Sequence, residues 1–182
     1  QRVVQVLESD PRDKQNRIYA SLLAAIEASQ RSVWLTMAYF APGEEMISAL
    51  TNAAQRGVDV VLVLPGRSDF NLVLQAGRSY YDRLLSAGVR ILEMDDAVMH
   101  AKTAVIDGVF STVGSSNMDW RSFAANSEIN AIVIGRDFGQ QLEAVFLRDV
   151  ANSRPVELDA WRRRQLSDRV MEQVGRLAER LL

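Results

Sequence analysis

His100 is the only histidine in this chain of 182 residues, and Lys102 follows it two positions later. In a β-strand, side chains at positions i and i+2 project from the same face, so we expect the imidazole and the ammonium side by side. A lone histidine is more often structural, but its lysine neighbour changes that interpretation. Burying an ammonium without a counter-charge is costly, and an anionic ligand would offset the cost. The pair therefore indicates an anion-binding site.

Further polar groups are predicted to join this pair. The segment 114–117 (Gly-Ser-Ser-Asn) ends a strand that folds back beside the His100 strand through an Asp107-Gly108 hairpin turn. It supplies a hydroxyl and an amide near the same point. Glu128 opens the next predicted strand, where its carboxylate is placed to accept the second imidazole N–H. Such a bond would select one tautomer and make the other ring nitrogen a better nucleophile.

Strands alternate with helices of ten or more residues along the chain, which predicts an α/β domain. The hairpin adds antiparallel neighbours, so we expect a mixed β-sheet layered between α-helices. The predicted strands are 3–7, 32–40, 58–64, 89–93, 100–106, 109–113 and 128–134, and the predicted helices are 12–29, 44–56, 69–87 and 137–150.

Composition limits the classes of function. Apolar residues make up 48% and charged residues 24%, as in ordinary globular proteins, and the net charge of −2 provides no global positive field for a polyanion. Without cysteine there is neither a disulfide nor a thiolate metal site. The pair Asp95-Asp96 has no second histidine to complete a metal site, so a solvated loop is the simpler interpretation. The chain opens on Gln1, which we interpret as the start of a segment of a longer protein.

The C-terminal residues differ from the rest, and we predict a division into a catalytic domain, 1–154, and an amphipathic basic helical segment, 155–182. Counted from Arg154, this end holds seven arginines against five acidic residues. Its apolar residues recur at helical spacing. Two interpretations stay open: a helix packed on the domain, or a helix on an anionic membrane with arginine stems along its sides. The apolar residues are Trp161, Leu166, Val170, Val174, Leu177 and Leu181.

The motif residues match the HxKxxxxD…GSxN signature, and on them the chain resembles the phospholipase D superfamily. Chance agreement is improbable because the spacing is set over 28 residues. The stretches 38–42, 64–69, 100–108 and 114–122 are similar to the C-terminal half of bacterial cardiolipin synthases. The matching residues are His100, Lys102, Asp107, Gly114, Ser115 and Asn117, with Glu128 downstream.

The resemblance implies a phospholipase D-like domain and a role for each matched residue. His100 would attack the phosphorus of a phosphodiester and form a phosphohistidine. Lys102 and Asn117, together with Ser115, would bind the non-bridging oxygens, and Glu128 would orient the imidazole. No metal or cofactor is expected. Asp107 falls on the opposite strand face at a turn, and with Gly114 we assign it a structural role.

The resemblance also implies a reaction and a missing partner. The implied reaction is the transfer of a phosphatidyl group between two phosphatidylglycerol molecules, which yields cardiolipin and glycerol. The general acid would come from a second half that carries the same His-Lys-Asp (HKD) motif, either in the parent chain or in the partner of a homodimer. The isolated chain would therefore turn over little substrate. The implied location is peripheral, at the cytoplasmic face of the bacterial inner membrane, with no nucleic acid as partner. The alternatives are a phospholipase D-type nuclease and an inactive lipid-binding fragment.

Overall fold

The computed structural model describes residues 3–12, 16–95 and 99–178. Asp96 and Leu181, both considered above, lie outside these residues. The described strands are β1 (Val3–Ser9), β2 (Ser32–Met37), β3 (Phe40–Ala41), β4 (Asp59–Pro65), β5 (Arg90–Met94), β6 (Lys102–Ile106), β7 (Phe110–Gly114), β8 (Met118–Asp119), β9 (Glu128–Ile134) and β10 (Arg154–Pro155). The described helices are α1 (Arg17–Ala28), α2 (Gly43–Gln55), α3 (Asn71–Arg78), α4 (Tyr81–Ser86), α5 (Trp120–Ala124), α6 (Arg136–Ala151), α7 (Leu158–Arg162) and α8 (Leu166–Ala178).

One mixed sheet organises the domain, in the order β1-β9-β7-β6-β2-β4-β5-β10. Strands β2, β4 and β5 are parallel, as expected for strands joined by helical crossovers, and the other neighbours are antiparallel. The predicted fold class, a mixed sheet layered between helices, is confirmed. The sequence prediction omitted the short parallel ribbon of β3 and β8, which lies outside the main sheet.

Strand β4 shows how the layers are held together. Val60, Leu62 and Leu64 pack into the large core under α1, α2 and α4. Val61 and Val63 point the other way and contact Phe146 of α6. Every residue of the apolar run is therefore covered, as its continuous hydrophobicity predicted. Burial of each such side chain stabilises the fold by about 1.5–3 kcal/mol.

The helix predicted for 69–87 is wrong as a single element, because it is divided into α3 and α4 at Ser79 and Tyr80. The Ser79 hydroxyl donates to the carbonyl of Ala76 at 2.6 Å and closes the first helix. Tyr80 and Tyr81 are both buried, although neighbouring residues of one helix point about 100° apart. Both rings nevertheless enter the core at the break between α3 and α4.

The C-terminal residues pack against the domain through α7 and α8. Trp161 lies 4.8 Å from the ring of Tyr81, and the guanidinium of Arg164 lies over Trp161 at 4.3 Å. Arg164 also pairs with the buried carboxylate of Glu172. At Gly175 an added Cβ would lie 2.5 Å from the backbone nitrogen of Ala76, so α8 approaches α3 closely. Among the described helices, none has the length and apolar character needed to cross a membrane.

Asp107 anchors the β6–β7 hairpin to the connection between α1 and β2. Its carboxylate accepts the backbone N–H groups of Gln30, Arg31 and Ser32 at 2.8–3.0 Å. Desolvation acts to raise the pKa of Asp107, but these hydrogen bonds outweigh it and hold the pKa below its usual value. The Asp107 carboxylate is thus engaged by three backbone amides, and its structural role stays a prediction.

Replacing Asp107 with alanine is expected to lower the free energy of unfolding by about 2–4 kcal/mol, because three backbone donors lose a charged acceptor. Asparagine keeps one acceptor oxygen and tolerates the positive φ of 54°, so D107N should lose only about 1 kcal/mol. The stabilisation by Asp107 is complete above its unfolded pKa, near 3.9, and is lost as the pH falls through the lower folded pKa. Urea unfolding at neutral and acidic pH measures both effects. Equal stability of D107A and wild type at neutral pH would contradict this role.

Candidate active site

The motif residues meet at one edge of the main sheet. In the antiparallel β6–β7 pair, the start of β6 lies beside the end of β7, with Thr103 opposite Val113. The end of β7 lies beside the start of β9, with Gly114 opposite Asn130. The sheet topology therefore places the segments that carry the imidazole, the ammonium, the amide and the carboxylate next to one another.

His100 and Lys102 differ in exposure, which the sequence did not predict. The strand begins at Lys102, so His100 precedes it and is exposed to solvent. Lys102 is only 6% exposed, and its ammonium donates to the carbonyl of His100 at 2.9 Å. Ala38 donates to the carbonyl of Ala101 at 2.9 Å and keeps this segment beside the end of β2. A solvent-exposed histidine is accessible to a substrate, and the buried lysine is held in position by its hydrogen bond to the His100 carbonyl.

Lys102 is surrounded by acidic groups. Burial lowers its pKa below the usual value of 10.5. Three carboxylates act against this effect by favouring the ammonium: Glu128, Asp119 and Asp69. Burial also raises the pKa of Asp119, and its hydrogen bonds with Ser122 offset only part of that increase. Among the described residues the site is therefore rich in negative charge around a single ammonium, with Arg121 acting on Asp119.

Glu128 does not make the contact predicted for it. One carboxylate oxygen accepts the Ser115 hydroxyl at 2.5 Å, and the other accepts the Ser122 hydroxyl at 2.9 Å. Among the hydrogen bonds of the described residues, none joins Glu128 to His100. The expected carboxylate–imidazole bond is thus replaced by a bridge between the β7 end and α5. The reason is that α5 brings the hydroxyl of Ser122 against Glu128 from the side.

The position of Asn117 is fixed by a hydrogen bond from its backbone N–H. Its N–H donates to the Ser122 hydroxyl at 3.1 Å, and the neighbouring Ser116 N–H donates to the side chain of Asn130 at 3.1 Å. Asn130 in turn donates to Thr112 at 2.9 Å. The side-chain oxygen of Asn117 is buried and accepts no hydrogen bond from the described residues. The loop is therefore fixed, while the amide keeps hydrogen-bonding capacity.

Gly114 is required by the close approach of β7 and β9. A Cβ at this position would lie 2.2 Å from the side-chain oxygen of Asn130 and 2.3 Å from the carbonyl of Ile129. Since one of these atoms belongs to the backbone, a larger residue would push the two strands apart. The glycine of the motif thus allows Ser115 and Asn117 to reach the edge of the sheet.

Tyr39 and Asp69 form a second polar group beside Lys102. The Tyr39 hydroxyl donates to Asp69 at 2.7 Å. Burial and this hydrogen bond raise the pKa of Tyr39 to about 12, so the phenol stays protonated at neutral pH. Tyr39 and Asp69 lie in the segments that follow β2 and β4, whose ends are at the same edge of the sheet as the start of β6.

Ser122, Asn130 and Asp119 support the site and were not predicted. Asp119 caps α5 by accepting the N–H of Ser122 at 2.8 Å, and the sequence signal for this cap is an Asp followed three residues later by Ser. Asn130 had no such signal, since a polar residue in a strand is usually taken as solvent-facing. Its buried role depends on neighbours that are remote in sequence.

The described residues also bear on the metal question. Within 3–12, 16–95 and 99–178, no three His, Asp or Glu side chains are grouped to hold a metal ion. The carboxylate of Asp95 pairs with Arg154 at 3.3 Å, and its carbonyl accepts from Arg67. Asp95 is therefore engaged in ion pairing at the end of β5.

Comparison with known protein families agrees with this arrangement. Residues 22–150 match the family described as "Cardiolipin synthase, PLD-like domain". The chain belongs to this phospholipase D-like family. The matched region contains every motif residue from His100 to Glu128.

Relatives support the same family, and solved structures share the fold. A cardiolipin synthase from Geobacillus sp. (strain WCH70) is 39% identical over 179 residues, which cover 98% of this chain and 36% of that protein. The chain thus spans about a third of the length of the curated relatives it matches. The phospholipase D family member Nuc from Salmonella typhimurium covers 86% of this chain and 99% of its own, with a TM-score of 0.72 and 21% identity. A phosphatidylserine synthase from Haemophilus influenzae covers 100% of this chain and 48% of its own, with a TM-score of 0.77 and 11% identity. At these identities the two structures show the fold alone.

Proposed function

We propose that this chain is one catalytic lobe of a phosphatidyltransferase that makes cardiolipin from phosphatidylglycerol through a phosphohistidine. The observation that supports the proposal best is that the exposed His100 and the buried Lys102, whose ammonium donates to the His100 carbonyl, lie at the start of β6 beside the end of β7. The loop of Asn117 is held beside them by backbone hydrogen bonds. The family and its cardiolipin synthase relatives supply the lipid class.

In the first step a ring nitrogen of His100 attacks the phosphorus of one phosphatidylglycerol. The P–O bond to the headgroup glycerol breaks, a P–N bond forms, and the leaving glycerol oxygen takes a proton from a general acid. Lys102 and the amide of Asn117 bind the non-bridging oxygens, where negative charge develops in the transition state. Ser115 donates its hydroxyl proton to Glu128, so it would contact a non-bridging oxygen only after that hydrogen bond is exchanged for the phosphate.

In the second step the headgroup hydroxyl of another phosphatidylglycerol attacks the same phosphorus. The P–N bond breaks and His100 is released, while the group that served as acid now accepts the hydroxyl proton. The products are cardiolipin and glycerol. His100 is the only histidine of this chain, and it is occupied as the nucleophile, so we assign the acid and base to a second lobe with its own histidine. This lobe would lie in the parent chain or in a homodimer.

The charge of the site also favours a second lobe. Lys102 is the ammonium at this sheet edge, and Glu128, Asp119 and Asp69 act on it. A phosphodiester would add a further negative charge, which costs free energy in a partly buried site. A second lobe would bring a second lysine to the phosphate and so balance the charge.

Peripheral contact with the cytoplasmic face of the bacterial inner membrane belongs to the same proposal. It would bring the site to its lipid substrate. Leu166, Val170 and Val174 of α8 are exposed apolar residues that such a contact would cover.

The product assay tests this proposal directly. The chain is supplied with a second lobe, or concentrated until it dimerises, and incubated with radiolabelled phosphatidylglycerol. Labelled cardiolipin and free glycerol in equal amounts are expected, and a dilute monomeric sample should form little product. A parallel incubation with DNA tests the nuclease alternative. Cleavage of DNA without cardiolipin would replace the proposal with a nuclease, and no product in any assembly would favour a lipid-binding domain.

A further inference from the structure

A groove of about 870 Å³ lies beside the proposed catalytic edge, between α1, α5 and the end of α8. This volume falls within the roughly 300–1,000 Å³ typical of ligand sites. Large apolar side chains form its walls, and Ala41 and Pro42 lie between them. The wall residues are Tyr19, Trp120, Phe123 and Leu177.

Each charged side chain that lines the groove has a polar partner. Glu45 accepts the Tyr19 hydroxyl at 2.7 Å, and Glu44 pairs with Arg176. The guanidinium of Arg176 also lies 4.8 Å from the ring of Tyr80. Asn16 donates to the carbonyls of Ser122 and Phe123, so the uncharged amide of Gln173 is the remaining polar side chain beside the apolar walls.

The groove is joined to the catalytic edge through the short ribbon of β3 and β8. Ala41 pairs with Asp119, and Trp120 follows Asp119 directly. Asp119 is one of the carboxylates that act on Lys102. An extended molecule with its phosphate at Lys102 would therefore pass Trp120 to enter the groove. Trp120 is 46% exposed, so its ring is available for contact.

Helix α8 connects the other end of the groove to an outward apolar stripe. The helix turns Glu172 and Gly175 toward the domain, whereas Leu166, Val170 and Leu177 point to solvent. Leu177 belongs to both the stripe and the groove wall. Gln173 and Arg176 also line the groove, so an apolar chain from the stripe would enter it along Leu177.

We propose that this groove binds the acyl chains of the phospholipid whose phosphate is held at Lys102. The inference rests on the proposed function for the position of the phosphate. Its occupant is a hydrocarbon chain, because the walls are aromatic and aliphatic and the charges beside them are paired. The groove would hold the lipid during transfer and select for acylated substrates over their bare headgroups.

Fluorescence quenching tests the groove without requiring catalysis. The chain is titrated with monomeric short-chain phosphatidylglycerol that carries bromine on its acyl chains, since bromine quenches indole on contact. Trp120 should be quenched, and W120F should lose that signal. The other two tryptophans lie elsewhere: Trp34 stacks on Phe146 at 5.2 Å, and Trp161 packs on Tyr81. Glycerophosphoglycerol has the same headgroup but no acyl chains, so it should not occupy the groove or quench Trp120.

Two leucines of α8 form a matched pair of variants. Leu177 is 86% exposed and lines the groove, whereas Leu166 is 75% exposed on the same helix and does not. With monomeric lipid, where the α8 stripe has no lipid layer to contact, we expect L177R to weaken the quenching titration about tenfold and L166R to leave it unchanged. Equal weakening in both variants would assign the lipid to the surface of α8 instead. Absence of quenching would overturn the proposal, as would a change of oligomeric state in L177R without any lipid response.

The groove and the reaction fail separately. Quenching should persist in H100A, because the acyl chains do not touch the imidazole. If the assembled wild type shows quenching but forms no cardiolipin, the proposal that the groove binds acyl chains stands and the proposed transferase activity is refuted. If cardiolipin forms without quenching, only the proposal that the groove binds acyl chains is refuted.

Discussion

Replacing His100 with alanine is expected to lower the rate of phosphatidyl transfer by at least ~10⁴-fold, because the variant has no nucleophile for the first step. The fold should be unaffected, since the imidazole is exposed and makes no hydrogen bond with the described residues. Initial rates of cardiolipin formation by assembled wild type and H100A measure the effect. Matching urea unfolding curves would show that the loss is chemical.

The same substitution tests the covalent intermediate and the second lobe. Phosphatidylglycerol labelled at phosphorus should leave label on wild-type protein quenched at alkaline pH, where P–N bonds survive, and none on H100A. If two copies share a site, mixing equal amounts of wild type and H100A should leave about one quarter of the wild-type activity, because only wild-type pairs have both histidines. One half remaining would mean that each chain acts alone, and activity in pure H100A would remove His100 from the mechanism.

Replacing Lys102 with methionine is expected to lower the rate of transfer by about 10²–10³-fold, the usual loss for one donor that stabilises transition-state charge. Methionine keeps an apolar stem of similar length and removes the charge from a residue that is 6% exposed. K102R is the matched control: it keeps the charge but presents a planar fork where a point charge is buried, so it should recover only part of the rate. Initial rates of the three proteins in the same assembly give the comparison.

The lowered pKa of Lys102 predicts how activity falls at alkaline pH. Binding of a phosphate anion requires the protonated amine, and burial lowers the pKa of Lys102 below 10.5. Activity should therefore fall as the pH rises through this lowered pKa, at a lower pH than an exposed lysine would give. K102R should shift the fall upward, because arginine stays protonated. An unchanged alkaline limb in K102R would assign that titration to another group.

Local patterns were sufficient for much of the fold. The continuous apolar run of β4 predicted burial on both faces, and the Asp107-Gly108 turn predicted the hairpin that joins β6 to β7. These predictions succeeded because the physical cause is local: side-chain alternation in a strand and positive φ at a turn. The predicted single helix for 69–87 failed because burial of two adjacent tyrosines is decided by the core around them.

The sequence by itself was sufficient to propose the reacting groups of this protein, since the spacing of His100, Lys102 and Asn117 can be read from the chain and strand pairing brings residues at such spacings together. Only the tertiary structure decided how those groups are held. It placed Ser122 and Ser115, instead of the imidazole, on the carboxylate of Glu128, and it made Gly114 necessary by bringing β9 within contact of β7. The physical reason is that hydrogen-bond partners and steric limits depend on distances between segments that are remote in sequence, and these distances exist only when the sheet has formed.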